Sequence, residues 1–105
     1  MTVFVEKESW LYMPTAFSPN DDGENDVFFP QSGPEVLEIE LFQIFDRWGD
    51  LVFQAREFLP NDPAFGWDGN FEGRPMNSQV LVWQTKVLLR DGSIHWLKGG
   101  VLLAR

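Results

Sequence analysis

The chain has 105 residues, 44% of them hydrophobic, with no cysteine and 16 acidic residues against 8 basic ones, a formal net charge of −8. That length fits a single domain, and the lack of cysteine excludes a disulfide framework, a thiolate metal site and a cysteine nucleophile. Leucine, isoleucine, valine and phenylalanine supply 33 residues, enough for a packed core, while the acid excess repels phosphate backbones and argues against nucleic acid as a partner.

Residues 1–9 read as a lead-in from a parent protein, and 10–105 as the domain. Met1-Thr2-Val3-Phe4 lacks the charged n-region and long apolar run of a signal peptide. No apolar run reaches the about 18 residues a membrane-spanning helix needs, so a transmembrane segment is not expected, and a targeting segment would lie outside this chain. The charge is uneven: residues 1–72 hold 15 acidic and 3 basic side chains, residues 73–105 hold 1 acidic and 5 basic. This predicts an acidic end set apart from a basic one.

The segment from Asn20 to Asp26 packs four carboxylates and two carboxamides around Gly23. Calcium takes six to eight oxygen ligands around a sharp turn, which makes Asn20, Asp22 and Asp26 candidate calcium ligands. The spacing of a helix-loop-helix calcium site fails, because Ser18 and Phe29 would occupy its first and twelfth positions. The competing reading is a loop whose Asn and Asp side chains bond their own backbone.

Further along, Leu37, Ile39 and Leu41 alternate with Glu38 and Glu40, the pattern of a half-buried strand, with a slip at Leu41-Phe42 that predicts a bulge. Arg47-Trp48-Gly49-Asp50 reads as a turn into Leu51-Val52-Phe53-Gln54, so 37–54 is predicted as a hairpin. Residues 60–79, punctuated by Pro and Gly, read as loops around at most a short strand near Phe65-Trp67. A second hairpin is predicted from Val80 to Leu89, with Leu81, Trp83, Val87 and Leu89 on one face. It turns at Asp91-Gly92 in type I′ geometry and returns over 94–104, either unbroken or split at Gly99-Gly100. Frequent short strands without helical periodicity predict an all-β sandwich.

Catalytic patterns are absent from the sequence. His95 is the single histidine and has no activated-nucleophile pattern around it, and no GxGxxG or P-loop sits in a strand-to-helix context. Of the five tryptophans, Trp83 reads as core, whereas Trp48 and Trp67 lie beside turns and are the better candidates for a specific role.

Four separated motifs occur in order: Pro14-Thr15-Ala16-Phe17-Ser18-Pro19-Asn20-Asp21-Asp22-Gly23-Glu24-Asn25-Asp26-Val27-Phe28; Ile44-Phe45-Asp46-Arg47-Trp48-Gly49 with Val52-Phe53; Trp67-Asp68-Gly69 with Gly73; and Gly100-Val101-Leu102-Leu103-Ala104-Arg105. Together they resemble the gliding motility-associated C-terminal domain, the type B sorting domain of the type IX secretion system, from about Pro14 to Arg105. Two departures from the family pattern are Asp21, where a Gly is common, and Gln79-Val80-Leu81 in place of a Gly before an aromatic-rich strand.

The resemblance implies an immunoglobulin-like antiparallel β-sandwich of about seven short strands, without catalysis or cofactor, carrying an N-terminal cargo to the cell surface. The implied partners are the type IX machinery and an outer-membrane anchoring protein. Candidate receptor residues are Arg47, Trp48, Gly49, Val101, Leu103 and Arg105, the last three on a strand expected at a sheet edge, where a receptor strand could add. Asn20, Asp22, Gly23, Asn25, Asp26, Trp67, Asp68 and Gly69 are expected to define the fold, with Arg47 able to stack on Trp48. The alternative is a carbohydrate-binding or calcium-dependent adhesion module that uses exposed tryptophan rings.

Overall fold

The computed structural model describes residues 10–20 and 26–105. Nine strands lie among them and no α-helix: β1 (Leu11–Tyr12), β2 (Ala16–Phe17), β3 (Gln31–Ser32), β4 (Val36–Phe45), β5 (Leu51–Phe58), β6 (Asn70–Phe71), β7 (Arg74–Pro75), β8 (Gln79–Leu89) and β9 (Ile94–Leu103). Four are long and five have two residues each, where about seven short strands were expected. The main sheet runs β2-β9-β8-β4-β5, and the pairs β1-β3 and β6-β7 form small ribbons beside it. β2 pairs with β9 in parallel, so the sheet is not wholly antiparallel. The arrangement is all-β and consistent with an immunoglobulin-like sandwich. No helix among the described residues is long and apolar enough to cross a membrane.

Both predicted hairpins form. β4 departs from simple alternation twice, with register shifts against β8 between Val36 and Glu38 and between Ile39 and Leu41. The buried set is therefore Val36, Ile39, Phe42 and Ile44, while Leu37 is 41% exposed. This corrects the expected face of Leu37 and Leu41 and moves the slip N-terminal to Leu41-Phe42. At the second shift the fully buried Thr85 hydroxyl donates to the Leu41 carbonyl at 2.7 Å. No buried side-chain polar atom among the described residues lacks a partner.

The turn expected over 47–50 forms, while the turn at Asp91-Gly92 takes a geometry other than the expected one. At Asp46–Asp50 the Gly49 N–H donates to the Asp46 carbonyl, and at Leu89–Ser93 the Gly92 N–H donates to the Leu89 carbonyl. In each loop only the glycine has positive φ, +88°, which describes a type I turn followed by a left-handed residue rather than type I′. The two-residue loop with both φ positive is Glu72-Gly73, at +54° and +78°, joining β6 to β7. β9 continues unbroken through Gly99-Gly100. Within 60–79, read as loops around at most a short strand near Phe65-Trp67, Pro63–Phe65 forms a 3-10 turn capped by Asp62 and Trp67 makes a single antiparallel bridge to Phe28, while the β6-β7 ribbon corrects the reading of the remainder as loops.

The core explains the aromatic excess. Phe17 and Phe28 stack at 5.6 Å, Phe28 meets Phe42 at 5.8 Å, Phe42 meets Phe58 at 6.4 Å, and Trp67 packs on Phe17 at 5.6 Å. Phe28 and Trp67 come from loops, whereas Phe17, Phe42 and Phe58 belong to β2, β4 and β5 of the main sheet. Each ring pair adds roughly 0.5–1.5 kcal/mol beyond its buried area, so the rings fasten loops that contain little regular structure of their own.

Candidate functional site

The register places the sequence motifs at one end of the sheet. Phe45 lies opposite Val82, and Val82 opposite Gly100, so the Asp46–Asp50 turn sits at the end where β8 begins and β9 finishes. β2 runs parallel to β9 with Ala16 opposite Leu102 and Phe17 opposite Leu103, which carries Ser18, Pro19 and Asn20 to that same end.

Arg105 is the meeting point. Its Nη2 donates to the Gly69 carbonyl at 2.9 Å, its Nη1 to the Pro19 carbonyl at 3.4 Å and its Nε to the Met76 carbonyl, while its backbone N–H donates to Ser78 Oγ at 2.9 Å. The acidic and basic ends inferred from charge distribution are therefore not apart in space, because Arg105 bonds the residue next to Asn20. Pro19 stood within a motif, but nothing in the sequence marked Met76 or Ser78 as partners.

Trp67 is buried to 1% exposure. Its backbone exchanges two hydrogen bonds with Phe28, at 2.8 and 2.9 Å, and its indole Nε1 donates to the Asn70 carbonyl at 2.8 Å. Asp68 accepts from the Asn70 backbone N–H at 3.0 Å and from its side-chain amide at 3.2 Å. Gly69 has φ +84°, which glycine adopts at little steric cost. The three residues make a tight corner stitched to the strand region around Phe28.

The Asp46–Asp50 turn is built by its aspartate. Asp46 Oδ1 accepts from the Trp48 and Asp50 backbone N–H groups, each at 2.9 Å. Trp48 is 75% exposed, and the Arg47 guanidinium lies 5.0 Å from its ring centroid, the stacking expected from sequence. On β9, Val101 and Leu103 are sealed in the core at 1% and 0% exposure. The premise of an edge strand at 101–103 is corrected: β9 lies between β8 and β2 there, and β5 bounds the opposite side of the sheet.

Of the loop residues, Asp22, Gly23 and Asn25 lie outside the described residues, as does the 1–9 lead-in. The Asn20 backbone N–H donates to Asp26 Oδ1 at 3.0 Å, which draws the two ends of the loop together. No group of three or more potential ligands occurs among the described residues.

His95 has closer company than its sequence suggested: Ser93 Oγ lies 3.0 Å from its Nε2, and the same hydroxyl donates to Asp91. In a hydrolytic triad the imidazole stands between hydroxyl and carboxylate; here the hydroxyl stands between them, on an exposed turn. That hydroxyl, followed by the Ser93 backbone N–H, holds the Asp91 carboxyl below its ordinary pKa.

Two shallow grooves have volumes of about 490 Å³, lined by residues including Phe17, Asp26 and Phe29, and about 460 Å³, lined by residues including Phe71, Glu72 and Arg74. Among the described residues each is lined by one carboxylate, Asp26 in the first and Glu72 in the second, where glycoside hydrolysis uses a pair.

By architecture this is an all-β domain that gathers loop segments into one end surface. The chain belongs to the type IX secretion signal domain family, CHU_C, whose pattern it matches over residues 11–97. It is accordingly a sorting domain for export of an attached cargo, which implies dealings with the secretion machinery and passage across the outer membrane. No curated protein and no solved structure matches the chain.

Proposed function

We propose that the domain is a non-catalytic signal that carries a covalently attached N-terminal cargo through the type IX machinery to the cell surface, where an outer-membrane anchoring partner holds it. The observation that carries this reading is the convergence of the separated motif segments at one end of the sheet, around Arg105. A receptor meeting this end encounters a composite folded surface rather than a linear tail. Arg47, Trp48 and Gly49 are its contact residues, because they project from the turn at that end. Val101 and Leu103 act indirectly, by seating β9 in the core.

The reading invokes no cofactor, and Asp26 accepts a backbone bond from Asn20 across the 20–26 loop. Melting in chelator and in millimolar calcium should coincide, and a clear rise with calcium would place an ion in the loop. A sugar-binding platform has less support, because Trp48 is the one largely exposed tryptophan among the described residues.

The deciding experiment places a periplasmic reporter ahead of residues 1–105 in a host with the type IX system. Surface display that depends on the system is expected, and retention in the periplasm would refute the proposal.

A further inference from the structure

We propose that Arg105 is the positioning residue of the sorting surface: its guanidinium locks the Pro19 loop, the Trp67–Gly69 corner and the β7–β8 connection into one arrangement. The sorting half of this statement rests on the function proposed above.

Four hydrogen bonds from one residue reach three segments of chain. The side chain takes the carbonyls of Pro19, Gly69 and Met76, which lie 86, 36 and 29 positions away, and the backbone N–H takes Ser78 Oγ, 27 positions away. A planar guanidinium presents donors in several directions at once, whereas a lysine ammonium is a compact point charge on a flexible stem. The lock therefore depends on the fork as well as on the charge.

Gly69 is shaped to receive it. A Cβ there would stand 2.9 Å from Arg105 Nη2, 3.0 Å from Pro19 Cγ and 3.3 Å from Leu103 Cδ1. The Gly69 carbonyl also accepts the Met76 N–H at 3.0 Å, so the backbone link that closes the β6-β7 ribbon shares its acceptor with Arg105. Withdrawing the guanidinium loosens all of these loops together, while the β8-β9 ladder keeps its own hydrogen bonds.

The test compares the wild-type chain with Arg105→Ala, Arg105→Lys and a core variant, Val87→Ala, chosen because Val87 is fully buried and lies far along the sheet from this end. Amide hydrogen exchange at Met76 and surface display of the fused reporter are measured for each. Arg105→Ala should speed exchange at Met76 by about tenfold or more and reduce display by a similar factor, with Arg105→Lys between it and wild type. Val87→Ala should lower the melting temperature yet keep display.

Unchanged exchange in Arg105→Ala overturns the lock. Faster exchange with undiminished display overturns its part in sorting, and so does equal loss of display in Val87→Ala, which would make stability alone the cause. If the wild-type reporter is itself retained, the sorting reading fails, and the exchange result still decides whether Arg105 holds the loops.

Discussion

Trp83 on β8 stands directly opposite Gly99 on β9, and its indole covers that glycine so closely that a Cβ there would lie 2.8 Å from Cζ2. The glycine pair does not interrupt the strand; one member clears a seat for a buried ring. Gly99→Ala should destabilise the domain by roughly 1–3 kcal/mol, because the ring must move within a packed core. At Gly100 a Cβ would meet only the Leu81 carbonyl oxygen, at 3.8 Å, so Gly100→Ala should be neutral or stabilising by up to about 1 kcal/mol. Denaturant melts of the two variants test the contrast, and equal losses would refute it.

Thr85 is the polar residue in an otherwise apolar buried set, and its hydroxyl serves the Leu41 carbonyl beside the β4 irregularity. Thr85→Val keeps the shape and removes the donor, leaving a partly buried carbonyl short of a partner at a cost of about 1 kcal/mol or more. Thr85→Ser should retain most of the stability. If Val is tolerated as well as Ser, the hydroxyl bond does not support the irregularity.

Asp46 and Trp48 separate turn building from recognition. Asp46→Ala removes an acceptor from two backbone N–H groups and should cost on the order of 1 kcal/mol. Trp48→Ala removes an exposed ring and should leave stability within about 0.5 kcal/mol of wild type, yet reduce reporter display if the turn meets the receptor. Undiminished display in Trp48→Ala would take this residue out of the contact surface.

Asp91 provides a pH handle. Hydrogen bonds from Ser93 lower its carboxyl pKa in the folded state. A depressed folded pKa contributes stability that is present above the unfolded value, near 3.9, and is lost as pH falls through the folded value. Carboxyl NMR should show Asp91 titrating below an ordinary aspartate, and Ser93→Ala should raise its midpoint. The turn should loosen only in acid, with neutral pH unaffected.

The hairpins were readable in the chain because a strand buried on one side writes its environment as a period of two: Leu81, Trp83, Val87 and Leu89 keep that beat, and β8 follows it. β4 misled because its register shifts depend on how β8 lies beside it, and Leu37 looked inward only by counting twos from Ile39. Asp-Gly at 91–92 was expected to form the type I′ turn that Glu72-Gly73 forms instead, since turn geometry answers to the strands it joins as well as to its own residues. Trp48 and Trp67 looked alike beside their glycines, yet one is exposed and the other buried.

Composition and ordered motifs determined the class of this protein and its family. Only the tertiary structure decided what the motifs do for one another. The partners of Arg105 lie 27 to 86 positions away in the chain, and a hydrogen bond across such separations leaves no local pattern. It exists because the parallel pairing of β2 with β9 brings Pro19 to the end of β9, where the guanidinium can reach its carbonyl.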